Sequence, residues 1–250
     1  MGLIIMDKAD LVKIQTLLRF SGLSPAHVRV SSGPSGLVMH LYDTDVRDFI
    51  PLLHHDIFSQ LRMLSLRNTN LDVVSELPNS LQSLKIANNP LLEVDLSNLS
   101  QLKFLEISSC QLPDIDVSSL HQLISLNLNN NALTQISLEG LTTLKALDLR
   151  RNRLSSLRIN HLVNLEILNI NYNQIHYIDL IGLDNLQFFH FKGNGLEEIN
   201  ADRIAPLHDV FVHRPRSPWA DDDYYDLLES FFTKCGSKIP DRYLHGRYSM

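Results

Sequence analysis

A period of 21 residues governs most of the chain. The pattern Leu123-x-x-Leu126-x-Leu128-x-x-Asn131-x-Leu133 returns as Leu144, Leu147, Leu149, Asn152 and Leu154, and again as Leu165, Leu168, Ile170, Asn173 and Ile175. Leu186, Phe189, Phe191, Asn194 and Leu196 keep the step, as do Leu207, Val210 and Val212. Upstream, Leu102, Leu105, Ile107, Cys110 and Leu112 keep it, and Leu81, Leu84, Ile86, Asn89 and Leu91 follow Leu61, Leu64, Leu66, Thr69 and Leu71 after 20 residues. Eight units are readable in all. No single unit has enough apolar residues on one face to fold alone, so neighbours must stack and bury a shared core. Leucine supplies 46 of the 250 residues, and all 19 asparagines lie between Asn68 and Asn200, so the array has ends of different composition.

Within a unit, Leu126-Asn127-Leu128 alternates apolar with polar, the period of a half-buried strand. Parallel copies about 4.8 Å apart would place eight strands over roughly 34 Å with one leucine core behind them. Asparagine at the ninth position has a structural task, since its amide both donates to and accepts from backbone groups that would otherwise be buried unpaired. Asn89, Asn131, Asn152, Asn173 and Asn194 form this ladder, and Thr69 and Cys110 depart from it. Cys110 is therefore read as a core residue rather than a nucleophile. A second alternation, in Val94-Asp95-Leu96, Ile115-Asp116-Val117, Ile136-Ser137-Leu138, Leu157-Arg158-Ile159 and Ile178-Asp179-Leu180, predicts a short strand on the opposite side of each unit and a gently curved solenoid.

These units resemble those of the leucine-rich repeat proteins, whose signature L-x-x-L-x-L-x-x-N-x-L they carry from Leu61 to about Arg214. The short second half of each unit is similar to that of bacterial members. The resemblance implies an α/β repeat fold, a solenoid with a parallel strand face and short second strands behind it, capped at both ends. It also implies a protein-interaction module, in the manner of leucine-rich effectors of intracellular bacteria that act in the host cytosol.

Residues 1–60 and 215–250 flank the array of residues 61–214 and are long enough to cover its ends. At the N-terminus, residues 7–20 carry Leu11, Ile14, Leu17 and Leu18 at helical spacing. Residues 27–30 and 37–42 read as extended and joined by a turn, and residues 45–58 read as helical with a break at Pro51. At the C-terminus, Ser217-Pro218 starts a helix with Asp221, Asp222 and Asp223 near its positive end and Tyr224, Leu227, Leu228, Phe231 and Phe232 on one face. Lys234, Cys235 and Gly236 end that helix, and an irregular tail follows.

Chemistry finds little purchase in the sequence. The net charge of −6 excludes a generally basic nucleic-acid binder, and no apolar run reaches the length of a membrane span. The N-terminus lacks the apolar stretch of a signal peptide, and Met6 stands where a myristoylation signal after Gly2 requires Ser or Thr. With two cysteines and no export signal, a reducing cytoplasmic setting is expected. Consecutive carboxylates at Asp221–Asp223 diverge on a helix, as do His54 and His55, and His190 with His213 lacks a third ligand. Cys235 follows a helix C-terminus, where a thiolate is disfavoured. No phosphate-binding glycine loop is present, and the 36 residues of 215–250 are far too few for the ubiquitin-ligase domain some bacterial leucine-rich effectors carry. No enzyme activity, cofactor, metal or small-molecule substrate is expected.

Binding is expected on the strand face. With Leu126 and Leu128 inward, one outward column reads Ser65, Lys85, Glu106, Asn127, Asp148, Asn169, His190, Phe211, and the next Arg67, Ala87, Ser108, Asn129, Arg150, Asn171, Lys192, His213. Asn130, Arg151 and Tyr172 flank these, and Ala146, Ile167, Phe188 and Asp209 precede them. The expected partner site is Asn127, Asn129, Asp148, Arg150, Arg151, Asn169, Asn171, Tyr172, Phe188, His190, Lys192, Phe211 and His213, a mixture of amides, cations and aromatics suited to a protein surface. Two alternatives are an RNA site built from Arg67, Arg150, Arg151, Lys192 and Arg214 with stacking by Tyr172, Phe188 and Phe211, and a ubiquitin-ligase adaptor in the Phe49–Phe58 stretch, which faintly resembles an F-box.

Overall fold

The computed structural model describes residues 8–33, 36–201 and 209–211. Helix α1 (Lys8–Phe20) is followed by β1 (Val28–Gly33) and β2 (Gly36–Tyr42). The repeats then supply β3 (Leu61–Arg67), β4 (Val73–Val74), β5 (Ser83–Ala87), β6 (Glu93–Val94), β7 (Phe104–Ser108), β8 (Ser125–Asn127) and β9 (Ala146–Asp148). β10 (Ile167–Asn169), β11 (Tyr177–Asp179), β12 (Phe188–His190), β13 (Glu198–Asn200) and β14 (Asp209–Phe211) complete the described elements. The readings of a C-terminal helix and tail, and of the residues in them, lie outside the described residues, as do His213 and Arg214.

One front sheet of ten strands runs β1-β2-β3-β5-β7-β8-β9-β10-β12-β14, and eight of these strands are the eight units. β1 and β2 are antiparallel, and every later neighbour is parallel. The hairpin thus adds its second strand to the edge of β3. The alternation works as periodicity requires: Leu64, Leu66, Leu84, Ile86, Leu105, Ile107, Leu126, Leu147, Leu168 and Phe189 are all buried. Ile14 and Leu18 of α1, and Phe49 and Phe58 beyond the hairpin, join the same core.

Three sequence readings are corrected. Among the described residues, the second strand of each unit forms only as the pairs β4–β6 and β11–β13. In the segments around Ile115, Ile136 and Leu157 no strand is found, although Ile115, Val117, Leu138, Leu157 and Ile159 are buried. Alternation encodes which residues face the core. Pairing additionally requires neighbouring backs to lie within hydrogen-bonding distance, which side-chain pattern does not report. Behind the strands each unit turns by successive i to i+3 hydrogen bonds, such as Leu120 N–H to Val117 O at 3.1 Å and Leu123 N–H to Leu120 O at 3.0 Å.

The second correction concerns residues 45–58, which form two 3-10 turns, Ile50–His54 and Asp56–Phe58, rather than a helix. Pro51 sits in the first turn, the place where its missing N–H matters least, and the chain does not continue beyond it as α-helix. Phe49 and Phe58 pack edge to face with ring centres 5.9 Å apart. The consecutive helices of an F-box are absent among the described residues. Thirdly, Ala87 and Ser108, read as members of the outward face, are buried; they are small, and Ser108 Oγ is tied to Glu106 Oε1 at 3.0 Å.

The asparagine ladder forms and is shared between coils. Asn152 Oδ1 accepts from Leu133 N–H at 3.1 Å while its Nδ2 donates to Leu128 O and Leu149 O, each at 2.9 Å. Asn173 repeats this with Leu154 N–H, Leu149 O and Ile170 O, and Asn194 with Ile175 N–H, Ile170 O and Phe191 O. Where asparagine is missing, the backbone compensates. Cys110 turns its carbonyl back to accept Leu91 N–H at 3.1 Å, Thr69 does so for Val46 N–H at 3.3 Å, and the next residues, Gln111 and Asn70, both take φ 58°. The Cys110 thiol itself donates to Ser108 O at 3.2 Å.

Candidate functional site

Strand register assembles the first outward column as read from the sequence. Ser65, Lys85, Glu106, Asn127, Asp148, Asn169, His190 and Phe211 are successive parallel partners. The preceding row is Met63, Ser83, Phe104, Ser125, Ala146, Ile167 and Phe188, from the same pairings. It carries exposed apolar surface that a solvated strand does not need: Phe104 is 48% and Ile167 41% exposed. Ala146, Ile167 and Phe188 are consecutive in this row.

Several predicted binding residues serve the fold first. Asn127 Oδ1 accepts from Asn129 N–H at 3.1 Å, Asp148 Oδ1 from Arg150 N–H at 3.1 Å, and Asn169 Oδ1 from Asn171 N–H at 3.2 Å. The short polar side chain at the end of each strand thereby closes the backbone two residues on, an Asx turn. Asn171 Oδ1 in turn accepts from Lys192 N–H at 2.6 Å. Asn127, Asn129, Asp148, Asn169 and Asn171 are all half-buried.

Burial is the largest influence on Asp148 and pushes its pKa up, against the Arg150 N–H, the Arg150 charge and His190, which pull it down. The folded protein therefore holds a proton on Asp148 more tightly than the unfolded chain, so stability falls as pH rises from the unfolded to the folded pKa. Asp148→Asn keeps the acceptor for Arg150 N–H and removes the half-buried charge. Its melting temperature at neutral pH should exceed that of the wild type, and the difference should close as pH drops below the ordinary aspartate range near ~3.9. A lower melting temperature at pH 7 would show instead that the Asp148–Arg150 pair, with Nε and Oδ2 3.3 Å apart, dominates.

A further row, just before the ladder position, is left-handed in every unit described. Asn68, Asn88, Ser109, Asn130, Arg151, Tyr172 and Gly193 have φ between 52° and 70°. The N–H groups of the first six reach the next coil, as Arg151 N–H does to Asn171 O at 2.8 Å and Tyr172 N–H to Lys192 O at 2.6 Å. Asparagine and glycine tolerate this conformation, whereas Arg151 and Tyr172 do not favour it. Tyr172 is 43% exposed, with Arg151 Cζ 5.6 Å and Lys192 Nζ 5.5 Å from its ring centre. Gly193 makes room for the ring, since a Cβ there would lie 2.6 Å from Tyr172 Cδ1. Sequence reasoning placed Arg151, Tyr172 and Lys192 on the face but missed this clustering and Gly193. The available signal was the asparagine-rich eighth position of the repeat, interrupted by Arg and Tyr in adjacent units.

Elsewhere chemistry is thin. Burial pushes the Cys110 thiol up, away from reactive thiolate character. A hollow of about 750 Å³ lies beside His54, His55, Asp56 and Glu76. Both imidazoles there turn to their own backbone, His54 Nδ1 to Pro51 O and His55 Nδ1 to Ile57 N–H. Among the described residues no group of three or more His, Cys, Asp or Glu is placed to hold a metal ion, and no helix is long and apolar enough to cross a membrane.

Eight coils in a 21-residue period, an inward leucine core and an asparagine ladder define a leucine-rich-repeat solenoid. The sequence matches no family model and no curated protein. Among solved structures, the chain is similar to internalin C2 of Listeria monocytogenes at 26% identity and a TM-score of 0.46, over 54% of this chain and 72% of that one. It is similar to the internalin InlF of the same organism at 22% identity and a TM-score of 0.49, over 70% of this chain and 55% of that one. A leucine-rich-repeat protein of Leptospira interrogans aligns at 19% identity and a TM-score of 0.47, over 73% of this chain and 62% of that one. The chain thus spans less than two thirds of the last two structures.

Proposed function

We propose that the chain is a non-catalytic protein-interaction module that binds a protein partner through the C-terminal half of its strand face. The observation that carries this reading is the row Ala146, Ile167 and Phe188, apolar surface held in register on a sheet whose neighbouring rows are polar and charged. Apolar side chains ringed by polar ones are the anatomy of a recognition surface. In this reading residues 1–60 and 215–250 close the two ends of the array, and residues 61–214 carry the binding face. The resemblance of the repeats to those of effectors of intracellular bacteria extends the proposal to action in a host cytosol.

Arg150, Arg151, Tyr172, Phe188, His190 and Lys192 are the residues we assign to contact with the partner. Asn127, Asn129, Asp148, Asn169 and Asn171 are assigned to holding that surface in shape, with their exposed edges contributing to it. RNA binding draws less support, because Arg150 is already paired with Asp148 and the chain is acidic.

The test uses the immobilised full chain beside an Ile167→Asp/Phe188→Ser variant, challenged with host-cell and bacterial lysates. A protein retained by the wild type and reduced at least about tenfold on a variant of unchanged circular dichroism is expected, since hot-spot truncations each cost about 2 kcal/mol. Equal retention by both proteins would move the site off the face. Retention of nucleic acid, with affinity falling steeply as salt rises, would replace the proposal by RNA binding.

A further inference from the structure

We propose that the Arg151–Tyr172–Lys192 cluster is the seat of an acidic segment of the protein partner, whose Asp or Glu side chains lie against the two cations while adjacent apolar side chains meet Ile167 and Phe188. This inference rests on the reading of the strand face as a protein-binding surface and specifies the chemistry of what binds there.

The charge pattern carries it. Three cations of the solenoid's front already have carboxylate partners: Lys85 with Glu106 at 2.8 Å, Lys145 with Glu166 at 2.7 Å, and Arg150 with Asp148 at 3.3 Å. Arg151 and Lys192 have none among the described residues. Each instead stands over the Tyr172 ring, within 5.6 Å of its centre. Two cations drawn to one ring from the coils on either side repel one another, and the ring quadrupole offsets this only in part. A carboxylate arriving at the ring edge completes the arrangement.

Backbone conformation points to the same place. The left-handed row is filled by asparagine in three units and by glycine in one, residues that adopt it at little cost, and by Ser109 in another. Arg151 and Tyr172 hold φ 56° and 58° in adjacent coils and are the two long side chains of a row otherwise made of short ones, so this conformation projects them together at the ring. Left-handed residues also occur at Ser109 and Gln111, so backbone strain accompanies the cluster, and the cations and ring carry the inference. The occupant is a peptide rather than a nucleic acid, because the chain carries a net charge of −6 that would oppose a polyanion along its length, while a short acidic segment feels mainly the two nearby cations.

The test selects binders to the full chain from a phage library of random twelve-residue peptides, then measures synthetic copies of the selected peptides by fluorescence anisotropy. Enrichment of Asp and Glu beside apolar residues is expected, with affinity falling roughly tenfold on Arg151→Gln/Lys192→Gln and unchanged on Lys85→Gln/Lys145→Gln. Tyr172→Asn should raise the melting temperature by relieving the left-handed tyrosine and yet weaken the same peptides; a merely structural tyrosine would lower both. Selected peptides that are not acidic but lose affinity on Ile167→Asp/Phe188→Ser would overturn the acidic segment and leave the face intact. Peptides indifferent to that variant, or no peptides at all, would overturn the face as well. Tighter binding of twelve-nucleotide oligouridine than of any selected peptide would also reject the proposal.

Discussion

Asn152→Ala should destabilise the protein by about 3 kcal/mol, measured as a lower urea midpoint at unchanged slope. Asn152 is buried at 7% exposure, so no water takes over its bonds. Leu133 N–H loses its acceptor at 3.1 Å, and Leu128 O and Leu149 O lose one donor each. Those carbonyls keep a second amide, from Asn131 at 3.1 Å and Asn173 at 3.0 Å, which limits the damage to one orphaned donor and two half-satisfied acceptors. Asn152→Cys should recover only the donor part. Cys110 occupies its ladder position because its backbone carbonyl reaches Leu91 N–H, a geometry that accompanies the left-handed Gln111 at φ 58°. Arg153 follows Asn152 and is not left-handed; its N–H is committed to Leu133 O at 2.8 Å. An alanine variant within about 0.5 kcal/mol of the wild type would show that the ladder is replaceable by local adjustment.

What the sequence made legible is whatever recurs once per coil through side-chain type. Inward leucines and ladder asparagines are chosen by burial and by backbone satisfaction, two requirements that act at the same phase in every unit, so the strand register across the face follows from the spacing of those residues alone. The back strands of the middle coils do not, because Ile115 and Val117 are apolar whether or not their backbone has a neighbour to pair with. Nor do the 3-10 turns around Pro51, where one missing N–H redirects a segment whose apolar spacing still reads as helical. At the site, the type of each outward residue was legible and its engagement was not. Asn127, Asp148 and Asn169 look alike as binding groups and as Asx-turn acceptors, and only the bond to the residue two further on decides.

This division of labour bears on how the face works. Polar side chains that close their own strand ends are already oriented, so on the proposed reading a partner would meet a surface that loses little side-chain freedom on binding. Outside that scheme stand the exposed Ile167, the Tyr172 ring and its two cations, which in the proposed reading would, with Phe188 and His190, discriminate between partners.

Phe189→Ala should cost about 4 kcal/mol and abolish binding without touching the partner. Phe189 is fully buried, fills a position held by leucine in the six preceding units, and lies 4.7 Å from the Phe191 ring, ring centre to ring centre. Six side-chain carbons beyond Cβ are lost in the middle of the core, which leaves a cavity whose cost adds to the lost burial. Because each coil contacts only its neighbours, the loss falls first on β10, β12 and β13 rather than on the whole array. Amide hydrogen exchange should therefore quicken across β12 and β10 while β5 and β7 keep their protection. His190 and Lys192 ride on that strand and the turn after it, so the cluster around Tyr172 loses one of its cations together with the backbone oxygen that accepts Tyr172 N–H. Phe189→Leu restores the side chain of the other units and should retain most of both stability and binding. Uniform exchange across all strands of the alanine variant would show instead that the solenoid melts as one cooperative unit, and that the binding face is no more separable from the N-terminal coils than its core is.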